Sequence, residues 1–217
     1  MKTAIALCLL CLVLPVPRVA VVAAHNAEQW GKYVPPQGRK QILKKATRVV
    51  SSTFSSGEAS VTWVTDDVAS ALVSSMIDKE RLSLADADKR YGELRGDHYT
   101  FLATVWFVMV GREPIGMHHH SSADIANPIK SDTLFLQRAE DNKVFSRGTA
   151  AQTDFDASEG VREAVSRYML TFPKTGDNGQ PLINSMTNTV ELQFDLAGKT
   201  SKAKFVLHDI ANRPDSL

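Results

Sequence analysis

The sequence has 217 residues, of which 43% are hydrophobic, and its 25 basic and 24 acidic side chains leave a net charge of +1. This balance argues against a nucleic-acid partner, because such proteins carry a marked excess of positive charge. A chain of this length can bury a substantial core without disulfide bonds.

The chain opens with a segment that is typical of a secretory signal peptide. Lys2 provides a positive start, residues 4–14 form an unbroken apolar run, and Ala24 ends a stretch of small residues that suits a signal peptidase. The run is too short to cross a bilayer core of about 30 Å. We therefore predict that residues 1–24 are removed, that no transmembrane span remains, and that the protein is exported to a periplasm or the extracellular space.

Removal of this segment would also remove the two cysteines of the sequence, Cys8 and Cys11. The mature chain would then contain neither thiols nor disulfides, which suits a bacterial exported protein better than a eukaryotic one. Catalysis by a Cys–His pair would be excluded as well.

Residues 25–96 are predicted to form a short extended leader followed by a mainly helical section. The leader covers residues 25–38 and contains two consecutive prolines, which disfavour a helix. From residue 39 to Phe54, apolar side chains recur at helical spacing and predict a first helix. The helical section, residues 39–96, also contains a short strand predicted over residues 59–64.

Two further helices are predicted from their capping residues. Asp66 is a suitable N-cap for a second helix, whose buried stripe would include Val68, Val73 and Ile77. Ser83, followed by Asp86, resembles a capping box that opens a third helix ending near residue 92 or 96.

Residues 97–217 are predicted to be rich in antiparallel β-structure. Residues 99–110 are apolar on both faces, as a central strand covered on two sides requires. Residues 133–139 and 143–152 flank a hairpin turn at residues 140–142. Residues 166–172 form a further predicted strand, with a helical turn expected over residues 159–167.

The last two strands have the clearest pattern. Val190, Leu192, Phe194 and Leu196 alternate strictly with polar residues, and residues 203–207 return along a partner strand. In total, six strands are predicted in residues 97–217, mostly joined by hairpins. We therefore predict an α+β fold in which N-terminal helices pack on, or lead into, a mostly antiparallel sheet or sandwich of about six strands, as one compact domain.

Three consecutive histidines are the most conspicuous local feature. His118 and His120 would point the same way in an extended segment, and neutral imidazoles bind zinc or copper. A metal site would need a third ligand. The candidates are His98, His208, Asp97 and Asp124. The alternative is a polar loop with solvated histidines and no cofactor.

A cluster of basic residues occupies the predicted first helix. No carboxylate occurs between Glu28 and Glu58, whereas five cations lie in the middle of this interval. They are Arg39, Lys40, Lys44, Lys45 and Arg48. Such a helix could bind an anionic envelope component or another exported protein, although a solvated helix face would have the same composition.

The usual catalytic signatures are absent from the sequence. There is no Gly-x-Ser-x-Gly elbow, phosphate-binding glycine loop, His-Glu-x-x-His motif or EF-hand loop. The sequence therefore favours an exported, non-catalytic binding or envelope-associated protein. The alternative is a metal-binding protein or metalloenzyme that uses the loop of His118 and His120.

Overall fold

The computed structural model describes residue 33 and residues 36–51, 57–80, 82–110, 113–114, 128–140, 143–156, 163–196 and 199–207. The helices of this part are α1 (Pro36–Ala46), α2 (Asp66–Glu80) and α3 (Leu84–Arg95). The strands are β1 (Thr47–Ser51), β2 (Gly57–Trp63), β3 (His98–Val110), β4 (Glu113–Pro114), β5 (Phe135–Arg138), β6 (Val144–Arg147), β7 (Thr149–Asp156), β8 (Glu163–Pro173), β9 (Thr189–Leu196) and β10 (Lys199–Val206). No helix among these residues is both long and apolar enough to cross a membrane. The predicted signal peptide lies outside them.

The strands form two antiparallel sheets. The first has the order β1-β2-β3-β8-β7, with the short β4 paired to β3, and the second has the order β10-β9-β5-β6. The predicted α+β class with a mostly antiparallel sheet is thus confirmed. The described part of the chain contains ten strands, more than the expected six. Strands β1 and β4 were not expected, β2 joins the sheet from the section predicted to be mainly helical, and the segment predicted over residues 143–152 divides into β6 and β7.

Strand β3 is the centre of the first sheet and is covered on both faces. Phe101, Ala103 and Val105 are buried on the face that meets the second sheet. On the opposite face, Leu102 packs against the cluster of buried residues that α1 and α2 supply. The apolar character of both faces in the sequence therefore reflects two different partners, a sheet and a layer of helices.

The two sheets meet through a cluster of buried aromatic rings. The ring of Phe205 on β10 lies 5.7 Å from that of Trp63 and 5.5 Å from that of Phe101, measured between centroids. Phe101 also makes an edge-on contact with Phe172, at 5.7 Å. Offset and edge-on pairs of this kind add stabilisation beyond the burial of their apolar area.

Helix α1 begins earlier and ends earlier than the sequence predicts. The extended leader was expected to reach residue 38, but the helix begins at Pro36, because a proline at the first helical position lacks an N–H that would in any case be unpaired there. The helix expected to reach Phe54 is wrong over residues 47–51, which form a strand, and residues 52–54 lie outside the described residues. Thr47 donates from Oγ1 to the Leu43 carbonyl at 2.7 Å, and the chain then continues as β1.

The β-branched residues of β1 explain this change. Val50 is 9% exposed and Val49 is 62% exposed, which is the alternation of a strand rather than the stripe of a helix. Pairing with β2 supplies the backbone hydrogen bonds that the helix would have provided.

The other local predictions have mixed outcomes. Asp66 is the first residue of α2, and the cap is Thr65, whose Oγ1 accepts from the Val68 N–H at 3.4 Å. The Ser83 cap is confirmed, since its hydroxyl oxygen accepts from the Asp86 N–H at 3.1 Å. The helical turn expected over residues 159–167 is wrong from residue 163 onward, where β8 begins.

Gly148 is the point at which the chain leaves the second sheet and enters the first. It separates β6 from β7, and its N–H donates to the Leu134 carbonyl at 3.0 Å. A Cβ at this position would lie 2.5 Å from Phe172 Cε1 and 2.8 Å from Leu134 Cδ2. Glycine is therefore required here by close approach of two core side chains.

We expect Gly148→Ala to lower the free energy of unfolding by about 3 kcal/mol, because the added methyl must displace buried rings. Gly92→Ala is the matched control. No atom lies within 4 Å of a Cβ built on Gly92 in α3, so this change should stabilise by up to about 1 kcal/mol. Urea unfolding of both variants measures the difference. Equal effects would contradict the assignment of Gly148 as a packing constraint.

Candidate functional site

The five cations predicted as a partner-binding set fall into two groups. Lys40, Lys44 and Lys45 are exposed on α1. Arg39 and Arg48 are instead held by contacts within the fold. Sequence spacing alone does not separate the two groups, because it does not reveal which cations find an internal partner.

Arg39 joins α1 to α2. Its Nη1 lies 2.7 Å from Oδ2 of Asp78, and its side chain is only 12% exposed. Because solvent screens a partly buried ion pair less than an exposed one, the attraction between the two side chains is stronger than it would be at an open surface. Arg39 therefore contributes little free charge to a partner.

Arg48 lies on β1, not on the helix, and it closes the edge between the two sheets. Its guanidinium donates to the backbone carbonyls of Lys45, Thr47 and Lys204, at 2.7, 3.0 and 3.0 Å. The same group lies over the ring of Phe205, 5.4 Å from the centroid. One side chain thus stabilises the carboxyl end of α1 and connects it to β10.

This arrangement brings the backbone of β10 to the carboxyl end of α1. The carbonyls of Lys45 and Lys204 bond to the same guanidinium, so the end of α1 and the second half of β10 lie side by side. The side chain of Lys204 is exposed on the solvent face of β10, and its cross-strand neighbour on β9 is Glu191. We call the exposed lysines of α1, Lys40, Lys44 and Lys45, the basic surface.

The lysines of the basic surface are not held in ion pairs within the described part of the chain. None of the three lies within ion-pair distance of a carboxylate among the residues that the structure describes. By contrast, Lys202, the neighbouring lysine on β10, lies 2.8 Å from Glu191. The basic surface is therefore the better candidate for binding an anion.

A groove of about 280 Å³ lies beside the basic surface, between α1 and the start of α2. The wall from α1 is formed by Gly38, Gln41, Ile42 and Lys45, which share one helix face at spacings of three and four residues. The opposite wall is formed by Thr65, Asp67 and Val68, and Ala46 completes the lining. Ala46, Val68 and Thr65 are 2%, 1% and 6% exposed, so the most buried part of the lining consists of two apolar side chains and one hydroxyl residue.

Other ionisable groups near the helices are occupied in structural contacts. Asp66 pairs with Arg95 and accepts a hydrogen bond from the Tyr91 hydroxyl at 3.3 Å. Burial raises the pKa of Tyr91, and burial followed by the hydrogen bond to Asp88 raises that of Tyr33. Both hydroxyls therefore stay protonated at neutral pH and join α3 to its neighbours.

The histidines proposed as metal ligands, His118 and His120, lie outside the described residues, as do His208 and Asp124. His98 and Asp97 are exposed at the start of β3. Within the described part of the chain, no three His, Cys, Asp or Glu side chains are grouped closely enough to hold a metal ion. The zinc or copper site stays a prediction.

Sequence reasoning missed the far wall of the groove. The position of Asp67 across from Lys45 could not be found from the sequence, since it depends on how α1 packs on α2.

Comparison with known proteins does not extend this description. No family model matches the chain, and no curated protein is significantly similar to it.

Replacement of Arg48 tests its role in the fold. We expect Arg48→Ala to lower the free energy of unfolding by roughly 2 kcal/mol, because three backbone carbonyls lose a charged donor. Lys44→Ala on the exposed face of α1 is the control, with an expected change below about 0.5 kcal/mol. Thermal and urea unfolding measure both variants, and an Arg48→Ala variant as stable as the control would contradict the role.

Proposed function

We propose that this protein is an exported, non-catalytic binding protein that docks on an anionic component of the cell envelope through the basic surface. The observation that carries the proposal is the set of three exposed lysines on α1, Lys40, Lys44 and Lys45, without ion pairs among the described residues.

The geometry suits a flat, negatively charged partner better than a small ion. The lysines are spread along one helix instead of converging on one point. Each lysine close to an anionic membrane surface contributes about 1 kcal/mol of binding free energy, and the attraction weakens within a Debye length. Three lysines on one helix can therefore supply about 3 kcal/mol.

Binding to lipid vesicles tests this proposal. We expect the mature protein to sediment with vesicles that contain anionic phospholipid and not with vesicles of neutral phospholipid. The triple variant Lys40→Gln, Lys44→Gln, Lys45→Gln should bind the anionic vesicles about a hundredfold more weakly, which corresponds to about 3 kcal/mol. The matched control replaces Lys89, Lys130 and Lys143, which are exposed elsewhere, by glutamine.

The control variant has the same net charge as the test variant, so it separates the basic surface from overall charge. Equal weakening of both variants would mean that binding is non-specific. Binding that does not weaken between low and high salt would contradict the proposed electrostatic contact.

Export is tested by the mass and thiol content of the protein isolated from its cell. We expect a chain that begins at His25 and does not react with a thiol reagent, because Cys8 and Cys11 leave with the signal peptide. An intact chain that retains two reactive thiols in the cell interior would reject the proposed location.

A further inference from the structure

The groove beside the basic surface combines two kinds of chemistry in one cavity. The most buried part of its lining is formed by Ala46, Val68 and Thr65, and Ile42 adds a half-buried apolar side chain. Its rim carries the exposed side chains of Gln41 and Lys45, with the half-buried Asp67 on the other wall. A mostly apolar inner lining and a cation on the rim are the features that an amphiphile with a negative head requires.

Lys45 connects the groove to the basic surface. It belongs to both, because it lines the groove and follows Lys44 directly on α1. The aliphatic stem of a lysine can cover apolar surface while its ammonium group stays in water. A head group bound by Lys45 would therefore stand at the entrance, and a chain attached to it would extend towards Ala46.

We propose that this groove binds an acyl chain of the anionic lipid on which the basic surface docks. The inference rests on the proposed function. It specifies that the anionic envelope component is a lipid and not an anionic polymer. The volume of about 280 Å³ is just below the usual range for ligand pockets, about 300 to 1,000 Å³, so the groove holds part of one chain only. The rest of the lipid stays in the membrane.

Asp67 sets a limit on the affinity for the head group. It lies on the wall opposite Lys45 and is half-buried, so its carboxylate partly offsets the attraction of the lysine for an anion. Because it stands in the first turn of α2, the helix N-terminus stabilises its negative charge. Asp67→Asn should therefore raise the affinity for an anionic amphiphile by about threefold to tenfold.

The decisive experiment measures how affinity depends on chain length. Calorimetric titrations of the mature protein use inorganic phosphate, butyl phosphate, hexyl phosphate and octyl phosphate, each below its micelle concentration. We expect each added methylene that enters the groove to tighten binding by about twofold to fourfold. Inorganic phosphate should bind weakest of the four.

Two variants assign the effect to this groove. Gln41 is exposed, so Gln41→Phe should fold and place a ring across the groove, which removes the dependence on chain length. Ala85→Phe on α3 is the control, because it adds an equally exposed ring on a helix away from the groove. As a second readout, the methyl NMR signals of Ile42 and Val68 should shift with octyl phosphate and not with inorganic phosphate.

Equal affinities for all four phosphates, or a chain-length dependence that survives Gln41→Phe, would overturn the inference. If vesicle binding depends on the lysines while chain length has no effect, the acyl site fails and the proposed function stands. If octyl phosphate shifts Ile42 and Val68 but anionic vesicles are not bound, the proposed docking fails instead.

Discussion

Strand β3 must be covered on both faces, and the positions of the other elements follow from that constraint. The second sheet covers one face through Phe205, which packs against Phe101 and Trp63. The helices cover the other face around Leu102. Because β1 and β10 are edge strands of their sheets, the seam between the sheets is open on that side, and the guanidinium of Arg48 closes it.

The fold could be predicted from the sequence wherever a local pattern of residues is enough to specify the element. The strict alternation in β9 and the cap at Ser83 are local signals, and both agree with the structure. The end of α1 could not be predicted in this way. Residues 47–51 carry apolar side chains that continue the helical spacing. They form a strand because they pair with β2, a later segment of the sequence that is not part of the helical pattern.

The candidate site was predictable in composition but not in arrangement. The lysines of α1 were evident from the run of residues without a carboxylate, whereas the structural contacts of Arg39 and Arg48 depend on Asp78 and on the Lys204 carbonyl. These partners are separated from the arginines by 39 and 156 positions. The groove likewise arises from the packing of α1 against α2, for which the sequence contains no direct signal.

The chain passes from the second sheet back to the first at Gly148, and this return affects how the polypeptide folds. The chain builds β1 to β4 in one layer, β5 and β6 in the other, and then returns for β7 and β8 before it ends with β9 and β10. Neither layer can therefore be completed from a contiguous stretch of the chain. Such interleaving raises the mean sequence separation of contacts, which slows folding, because distant parts of the chain must meet before either sheet is complete.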